Sequence, residues 1–100
     1  MFYGVVKGVD DLQIKIEAAA RKLILSKGMS KTITVEFDGS HQLVAGLGKS
    51  ENYTANLYEY TEADGIGVYF HNELPACFTV VRIEIKRKFL IKMLAAIGEK

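Results

Sequence analysis

The hydrophobic period of the sequence changes from 3.6 residues to 2 after Gly28, and this change constrains the fold more than any other feature. Before Gly28, apolar residues between Leu12 and Ile24 recur at helical spacing, which predicts an amphipathic helix over about residues 11–27. Asp10 stands where an N-cap residue would begin this helix, and Gly28 where a left-handed residue would end it. We therefore expect one long helix, followed by a part of the chain that is mainly β.

The segment after Gly28 is typical of strands. Apolar and polar residues alternate over residues 32–37, and Asp38-Gly39 is a hairpin signal, so residues 41–45 should return antiparallel. Apolar residues at i,i+4 spacing in residues 89–97 predict a second, short helix that ends before Gly98. Further strands are predicted at residues 2–7, 53–60, 66–71 and 77–86, with a turn at residues 62–65.

These elements predict an α+β fold in a single domain over residues 1–100. Their order is β-α-β-β-β-β-β-α, and consecutive strands joined by short turns favour a mainly antiparallel sheet. Two helices that are each apolar on one side must cover an apolar sheet face. The expected architecture is a two-layer sandwich with both helices on one face of the sheet.

Charge and cysteine content exclude several classes of protein. The chain carries 13 Lys+Arg against 12 Asp+Glu, a balance that argues against a nucleic-acid clamp held by bulk charge. One cysteine excludes an internal disulfide framework and a metal site with several thiolates. The N-terminal residues do not form a signal-peptide core, and no apolar run is long enough to span a bilayer. We expect a cytoplasmic protein with no membrane partner.

Groups that could perform catalysis are few. A Cys-His nucleophile would need His71 within hydrogen-bond reach of Cys77; the alternative is a structural thiol at the start of an apolar strand and a surface histidine. His41 and His71 are 30 positions apart and lack a neighbouring carboxylate pattern, so they make a poor metal site. We expect no enzyme activity, no metal and no cofactor.

The register of one predicted hairpin brings aromatic residues together. A turn at residues 62–65 pairs Leu57 with Phe70 on the core side and Tyr58 with Tyr69 on the other face. Tyrosines are common hot spots at protein interfaces because they are amphipathic and lose little entropy on binding. The alternatives are a homodimer contact through the same face, and cross-strand pairs that only stabilise an exposed sheet. The predicted partner-binding residues are Tyr58, Tyr60, Tyr69 and His71.

A basic stretch near the C-terminus supports a second function. Strand alternation places Arg82, Lys86 and Lys88 on one side of a strand, with Glu84 between them. Cations beside a tyrosine face would suit single-stranded nucleic acid, because bases stack on aromatic rings and phosphates pair with cations. The alternative is a solvated strand end that discourages edge-to-edge aggregation.

A third function comes from a resemblance. Residues 42–46, Gln-Leu-Val-Ala-Gly, fit the Gln-x-Val-x-Gly hairpin of cystatin-type cysteine-protease inhibitors. Leu74-Pro75 lies about where the second binding hairpin of that family would fall, and Gly4 is similar to its N-terminal glycine. The resemblance implies a wedge of these three places that enters the cleft of a papain-like protease.

The leading prediction is a small, non-enzymatic protein-binding module. An inhibitor, an immunity protein or a regulatory protein, of the kind that phages and plasmids encode, fits this description. It would present the face that carries Tyr58, Tyr60, Tyr69 and His71 to a protein partner, with the loop at residues 46–51 as a second contact.

Overall fold

The described part of the chain, residues 12–27 and 31–100 of a computed structural model, forms seven strands and two short helices. The fold is mostly β, so the predicted two-layer α+β sandwich with helices covering one antiparallel sheet is wrong. None of the described helices is long and apolar enough to cross a membrane. The elements are β1 Gln13–Ile16, α1 Ala18–Lys27, β2 Thr32–Phe37, β3 Leu43–Leu47, β4 Tyr58–Ala63, β5 Ile66–His71, α2 Leu74–Cys77, β6 Val80–Lys88 and β7 Ile91–Glu99.

The strands form two mixed sheets rather than one antiparallel meander. A three-stranded sheet has the order β1-β6-β7, in which β1 and β6 are parallel and β6 and β7 are antiparallel. A four-stranded sheet has the order β3-β2-β5-β4, with β2 and β5 parallel at its centre. Both parallel pairs join segments that are far apart in the chain. The predicted meander paired consecutive strands through short turns and therefore did not include these pairs.

The core lies between the two sheets and α1. The helix contributes Ala20 and Ile24, which are four positions apart and therefore share one face. The strands contribute mainly β-branched residues, which suit a buried pleated surface. The core residues are Ile16, Ala20, Ile24, Ile33, Val35, Ile66, Val68, Phe70, Leu74, Val81 and Ile83.

The predicted helix over residues 11–27 is wrong in its first part, which forms β1. Leu12, Ile14 and Ile16 alternate with polar residues, and this period-2 pattern matches the strand that the structure contains. In the parallel pair, Ile14 lies opposite Val81 and Ile16 opposite Ile83. The predicted cap at Asp10, the stop at Gly28 and the strand at residues 2–7 lie outside the described residues.

The predicted C-terminal helix is also wrong, because residues 91–99 form β7. Ala, Leu, Met and Lys in this segment are good helix formers, but intrinsic propensity amounts to less than about 1 kcal/mol per residue and tertiary pairing overrides it. The whole of β6 is available as a partner, and the two strands pair from Val80 opposite Glu99 to Lys88 opposite Ile91. Phe89 and Leu90 form the two-residue turn between them.

The predicted β2–β3 hairpin is confirmed, although β3 begins at Leu43 rather than at residue 41. Asp38 fixes its loop, because Asp38 Oδ1 accepts hydrogen bonds from Ser40 N at 2.8 Å and Gln42 N at 3.0 Å. Such Asx contacts replace the backbone bonds that a turn lacks.

The β4–β5 hairpin has a tighter turn than predicted. Asp64 and Gly65 both have positive φ, 52° and 81°, as a two-residue type I′ turn requires. Tyr60 therefore lies opposite Tyr69, and Tyr58 opposite His71, which is a shift of two residues from the predicted register. Because side chains alternate with period 2, a shift of two keeps Tyr58, Tyr60, Tyr69 and His71 together on one face. The predicted core pair of Leu57 with Phe70 is wrong, because Leu57 precedes β4 and is 43% exposed, and Glu59 lies opposite Phe70.

Candidate functional site

The outer face of the four-stranded sheet carries a cluster of aromatic rings, which we call the tyrosine face. The rings of Tyr60 and Tyr69 have centroids 5.0 Å apart, and those of Tyr58 and His71 are 5.4 Å apart, both edge to face. Alternate residues of β5 point the other way into the core, so this face is the one away from the buried side of the sheet. The structure thus brings the four residues predicted as a site together, and their role in binding a partner remains a prediction.

The loop between β3 and β4 crosses the tyrosine face and adds two residues to it. The Tyr53 ring lies 5.5 Å from both Tyr58 and Tyr69, between centroids. Lys49 Nζ is 4.1 Å from the Tyr53 centroid, within the range of a cation–π contact. Thr34 Oγ1 donates a hydrogen bond of 2.6 Å to the Gly48 carbonyl, which anchors the start of this loop to β2. Lys49 belongs to the loop that the sequence predicts as a second contact. The predicted strand over residues 53–60 is wrong in its first part, because Tyr53 lies in the loop and β4 begins at Tyr58.

A half-buried carboxylate holds the loop and the sheet together beneath these rings. Glu36, on β2, accepts a hydrogen bond from the Tyr58 hydroxyl and another from Ser50 Oγ, which lies 3.1 Å from both carboxylate oxygens. Ser50 Oγ in turn accepts from the Asn52 backbone N–H at 3.0 Å. Burial of Tyr58, and then its hydrogen bond to Glu36, raise the pKa of the Tyr58 hydroxyl above its usual value. Sequence reasoning treated Glu36 only as a polar position of an alternating strand, so it missed this contact.

Exposure divides the tyrosine face into an inner and an outer part. Tyr58 is only 8% exposed, so it supports the cluster from within. The prediction that its ring is presented to solvent is wrong. Tyr60 is 53% exposed and is the most accessible ring of the four predicted residues. The Tyr60 hydroxyl lies over Gly67, where a β-carbon would collide with it. Because glycine has no side chain, it leaves room for the Tyr60 ring at this position.

The predicted basic patch lies in the other sheet. Arg82, Lys86 and Lys88 are on β6, whereas the tyrosine face is built on β4 and β5. Arg82 is also neutralised, because its guanidinium is 3.3 Å from Glu84 and 2.6 Å from Glu99. The structure therefore does not place the cations beside the tyrosines, as the nucleic-acid prediction assumed.

The segments that resemble cystatins do not form neighbouring exposed loops. Residues 43–46 belong to β3 and pair with β2. Leu74 is fully buried in the core at the start of α2, so it is not available to enter a protease cleft. Gly4 lies outside the described residues.

Cys77 is exposed at the end of α2 and borders an apolar groove of about 600 Å³. The groove is lined by Phe37, Pro75, Ala76, Cys77, Phe78, Thr79 and Lys100, a set with no second metal-ligating side chain. His71 Nδ1 accepts a hydrogen bond of 3.2 Å from the Glu73 backbone N–H rather than from a thiol. Within residues 12–27 and 31–100, no three His, Cys, Asp or Glu side chains are grouped so that they could hold a metal ion.

Comparison with known proteins identifies the family. The sequence model of the family described as "CC/Se motif containing family" matches residues 12–99. The chain belongs to this family. The description names a CC/Se motif, but the single cysteine of this family member, Cys77, stands between Ala76 and Phe78, so two adjacent cysteines do not occur here. No curated protein sequence is significantly similar to the chain.

The backbone is similar to a solved structure. The crystal structure of Escherichia coli SufA, involved in the biosynthesis of iron–sulfur clusters, superposes with a TM-score of 0.64 at 13% sequence identity. The similarity covers 96% of this chain and 97% of SufA. At this identity the similarity shows a shared fold alone.

Proposed function

We propose that this chain is a non-catalytic protein-binding module and that Tyr60 is the centre of its binding surface. The observation that supports this proposal is the aromatic cluster on the outer face of the four-stranded sheet, with Tyr60 exposed at its edge and packed against Tyr69. A tyrosine ring offers a large contact area and one hydrogen-bonding group while losing little conformational entropy. Exposed tyrosines that pack against further aromatic side chains are common among interface hot spots.

The contacts beneath the surface favour a rigid site. Glu36 ties Tyr58 on β4 and Ser50 in the loop to one carboxylate, so the inner rings are held before any partner arrives. Tyr53 packs against two of those rings and carries Lys49 above it. Preorganisation of this kind raises affinity because less side-chain freedom is lost on binding.

The fold similarity to SufA raises the question whether this chain handles iron–sulfur clusters. Such clusters are held by several cysteine thiolates, in some cases with histidines in place of two of them. This chain has one cysteine, and the groove that borders Cys77 is lined by apolar residues, a threonine and a lysine. The donor set does not fit a cluster held within one chain, and function follows the side chains of a site rather than the fold.

The test compares two apolar truncations on opposite sides of the same sheet. Wild-type protein, Tyr60→Ala and Leu47→Ala are immobilised and exposed to a nuclease-treated lysate of the native host. Leu47 is the matched control because it is also exposed but belongs to β3 rather than to the contact loop in which the sequence placed it, and it pairs with Ile33, whose side chain faces the core. We expect one stoichiometric protein to be retained by wild type and Leu47→Ala and lost by Tyr60→Ala.

The purified partner is then titrated against each variant. A hot-spot truncation costs about 2 kcal/mol or more, so Tyr60→Ala should weaken binding about thirtyfold while its melting temperature stays near that of wild type. Equal affinity of Tyr60→Ala and wild type would contradict the proposal. A partner that is retained only from lysate without nuclease treatment would instead favour nucleic-acid binding through the basic strand. An apparent mass of the purified chain that rises with its concentration would favour a homodimer.

A further inference from the structure

The β6–β7 hairpin extends beyond its neighbour and exposes an apolar tip. β1 pairs only with Val80–Ile83, so the second half of β6, with the start of β7, continues past the end of β1. At the turn, Phe89 is 87% exposed and Leu90 is 95% exposed, and Ile91 beside them is also exposed. Three adjacent large apolar residues on a projecting tip are a contact surface rather than scattered surface residues.

The backbone conformation of this turn disfavours a bulky residue at its first position. Phe89 has φ 57°, a left-handed conformation that a bulky side chain adopts at a cost. Two-residue turns with positive φ at the first position favour glycine there. A phenylalanine at this place is unfavourable for both the backbone and the solvation of the free protein, and a contact that covers its ring would offset the cost of solvation.

Cations surround the tip on both faces of the hairpin. By strand alternation, Lys86 and Lys88 lie on one face, and Arg87 and Lys92 lie on the other. Between Glu84 and Glu99 the sequence contains no acidic residue. Arg87 and Lys92 are directly opposite each other, an arrangement that is repulsive unless an anion lies between or above them.

A third cation meets this pair in a groove between α1 and the hairpin. The groove has a volume of about 450 Å³; Lys22, Arg87 and Lys92 line it above an apolar base that includes Leu23 and Ile85. The three cations form no ion pair with any residue in the described part of the chain. Their convergence provides a place for a phosphate group next to apolar surface.

We propose that the hairpin tip docks on the surface of a lipid bilayer that contains anionic lipids. The side chains of Phe89, Leu90 and Ile91 enter the interfacial region, and the surrounding cations contact lipid phosphates. A projecting apolar tip with cations on both faces matches a plane of uniform negative charge, whereas an acidic protein would have to supply a pocket that encloses the tip. This contact lies at the membrane surface and requires no spanning segment, so it departs from the sequence-based expectation of no membrane partner, which rested on the lack of a long apolar run.

The test measures the partition of the intact chain into sedimented vesicles. The vesicles are phosphatidylcholine alone, or phosphatidylcholine with about one third phosphatidylglycerol, as a source of negative surface charge. We expect binding to the anionic vesicles only, and a decrease with added salt. Arg87→Gln with Lys92→Gln removes two cations worth about 1 kcal/mol each at such a surface, so the partition coefficient should fall about thirtyfold.

Two further variants make the result specific to the tip. Lys15→Gln with Lys100→Gln removes the same charge at the far end of the same sheet and should leave binding unchanged. Phe89→Gly relieves the positive φ, so it should raise the melting temperature while it lowers the partition coefficient at least tenfold. Absence of wild-type binding, equal loss in both charge variants, or self-association that Phe89→Gly abolishes in vesicle-free solution would each overturn the proposal.

Discussion

Removal of the Tyr58 hydroxyl is the most direct test of the contacts that hold the tyrosine face. In Tyr58→Phe the ring keeps its packing against Tyr53 and His71, 5.5 and 5.4 Å away, and only the hydrogen bond to Glu36 is lost. A hydrogen bond to a charged group contributes about 1.5–3 kcal/mol. Glu36 is half-buried and keeps its bond from Ser50, so water can compensate in part, and we expect a loss of about 1.5 kcal/mol in the free energy of unfolding.

The assay is urea unfolding, supported by calorimetry. For a chain of this length, about 1.5 kcal/mol corresponds to a decrease of about 6–12 °C in melting temperature. Tyr60→Phe is the matched control because the Tyr60 hydroxyl belongs to an exposed side chain, and its effect should be within about 0.5 kcal/mol of zero. If Tyr58→Phe unfolds at the same urea concentration as Tyr60→Phe, the Glu36 contact does not stabilise the fold and the reasoning is refuted.

Three further predictions concern the core and alkaline stability. Leu74→Ala should lower the free energy of unfolding by about 2–5 kcal/mol because Leu74 is fully buried, and a loss below about 1 kcal/mol in urea would contradict this. Gly98→Ala should cost about 1–3 kcal/mol, because the new methyl group would meet the Phe78 ring; an unchanged melting temperature would show that the ring moves freely. The raised pKa of Tyr58 contributes stability that is fully present below the usual tyrosine pKa near 10 and is lost as pH rises through the folded-state value. Tyr58→Phe should therefore lose less stability between neutral and strongly alkaline pH than wild type, and parallel pH curves would exclude the effect.

Local patterns in the sequence predicted the strands better than the helices. Alternation over residues 32–37 and the Asp38-Gly39 turn give β2 and its hairpin, because half-buried strands and tight turns are determined by neighbouring residues. The segments 12–17 and 91–99 satisfy both helical and strand periods, and only pairing with β6 decides between them. Such pairing is a tertiary effect, which overrides the intrinsic propensity of a short segment.

The candidate site was predictable where it depends on strand alternation and not where it depends on the loop. An error of two residues in register kept Tyr58, Tyr60, Tyr69 and His71 on one face, because strand faces repeat every two residues. The contact between Tyr53 and Tyr69 depends on the path of an irregular loop, for which the sequence has no periodic signal. The burial of Tyr58 follows from that loop and from Glu36 on a strand that is not adjacent in sequence.

The two proposed contacts lie on different sheets, and this separation makes them independent. The tyrosine face is formed by β4, β5 and the loop above them, whereas the apolar tip belongs to β6 and β7. Mutations that are far apart and share no partner have effects that add, so Tyr60→Ala should leave vesicle binding unchanged and Phe89→Gly should leave partner binding unchanged. Loss of both activities in either single variant would mean that one ligand covers both surfaces or that the variant has unfolded. A melting curve distinguishes these two cases, because Phe89→Gly is expected to melt at a higher temperature than wild type.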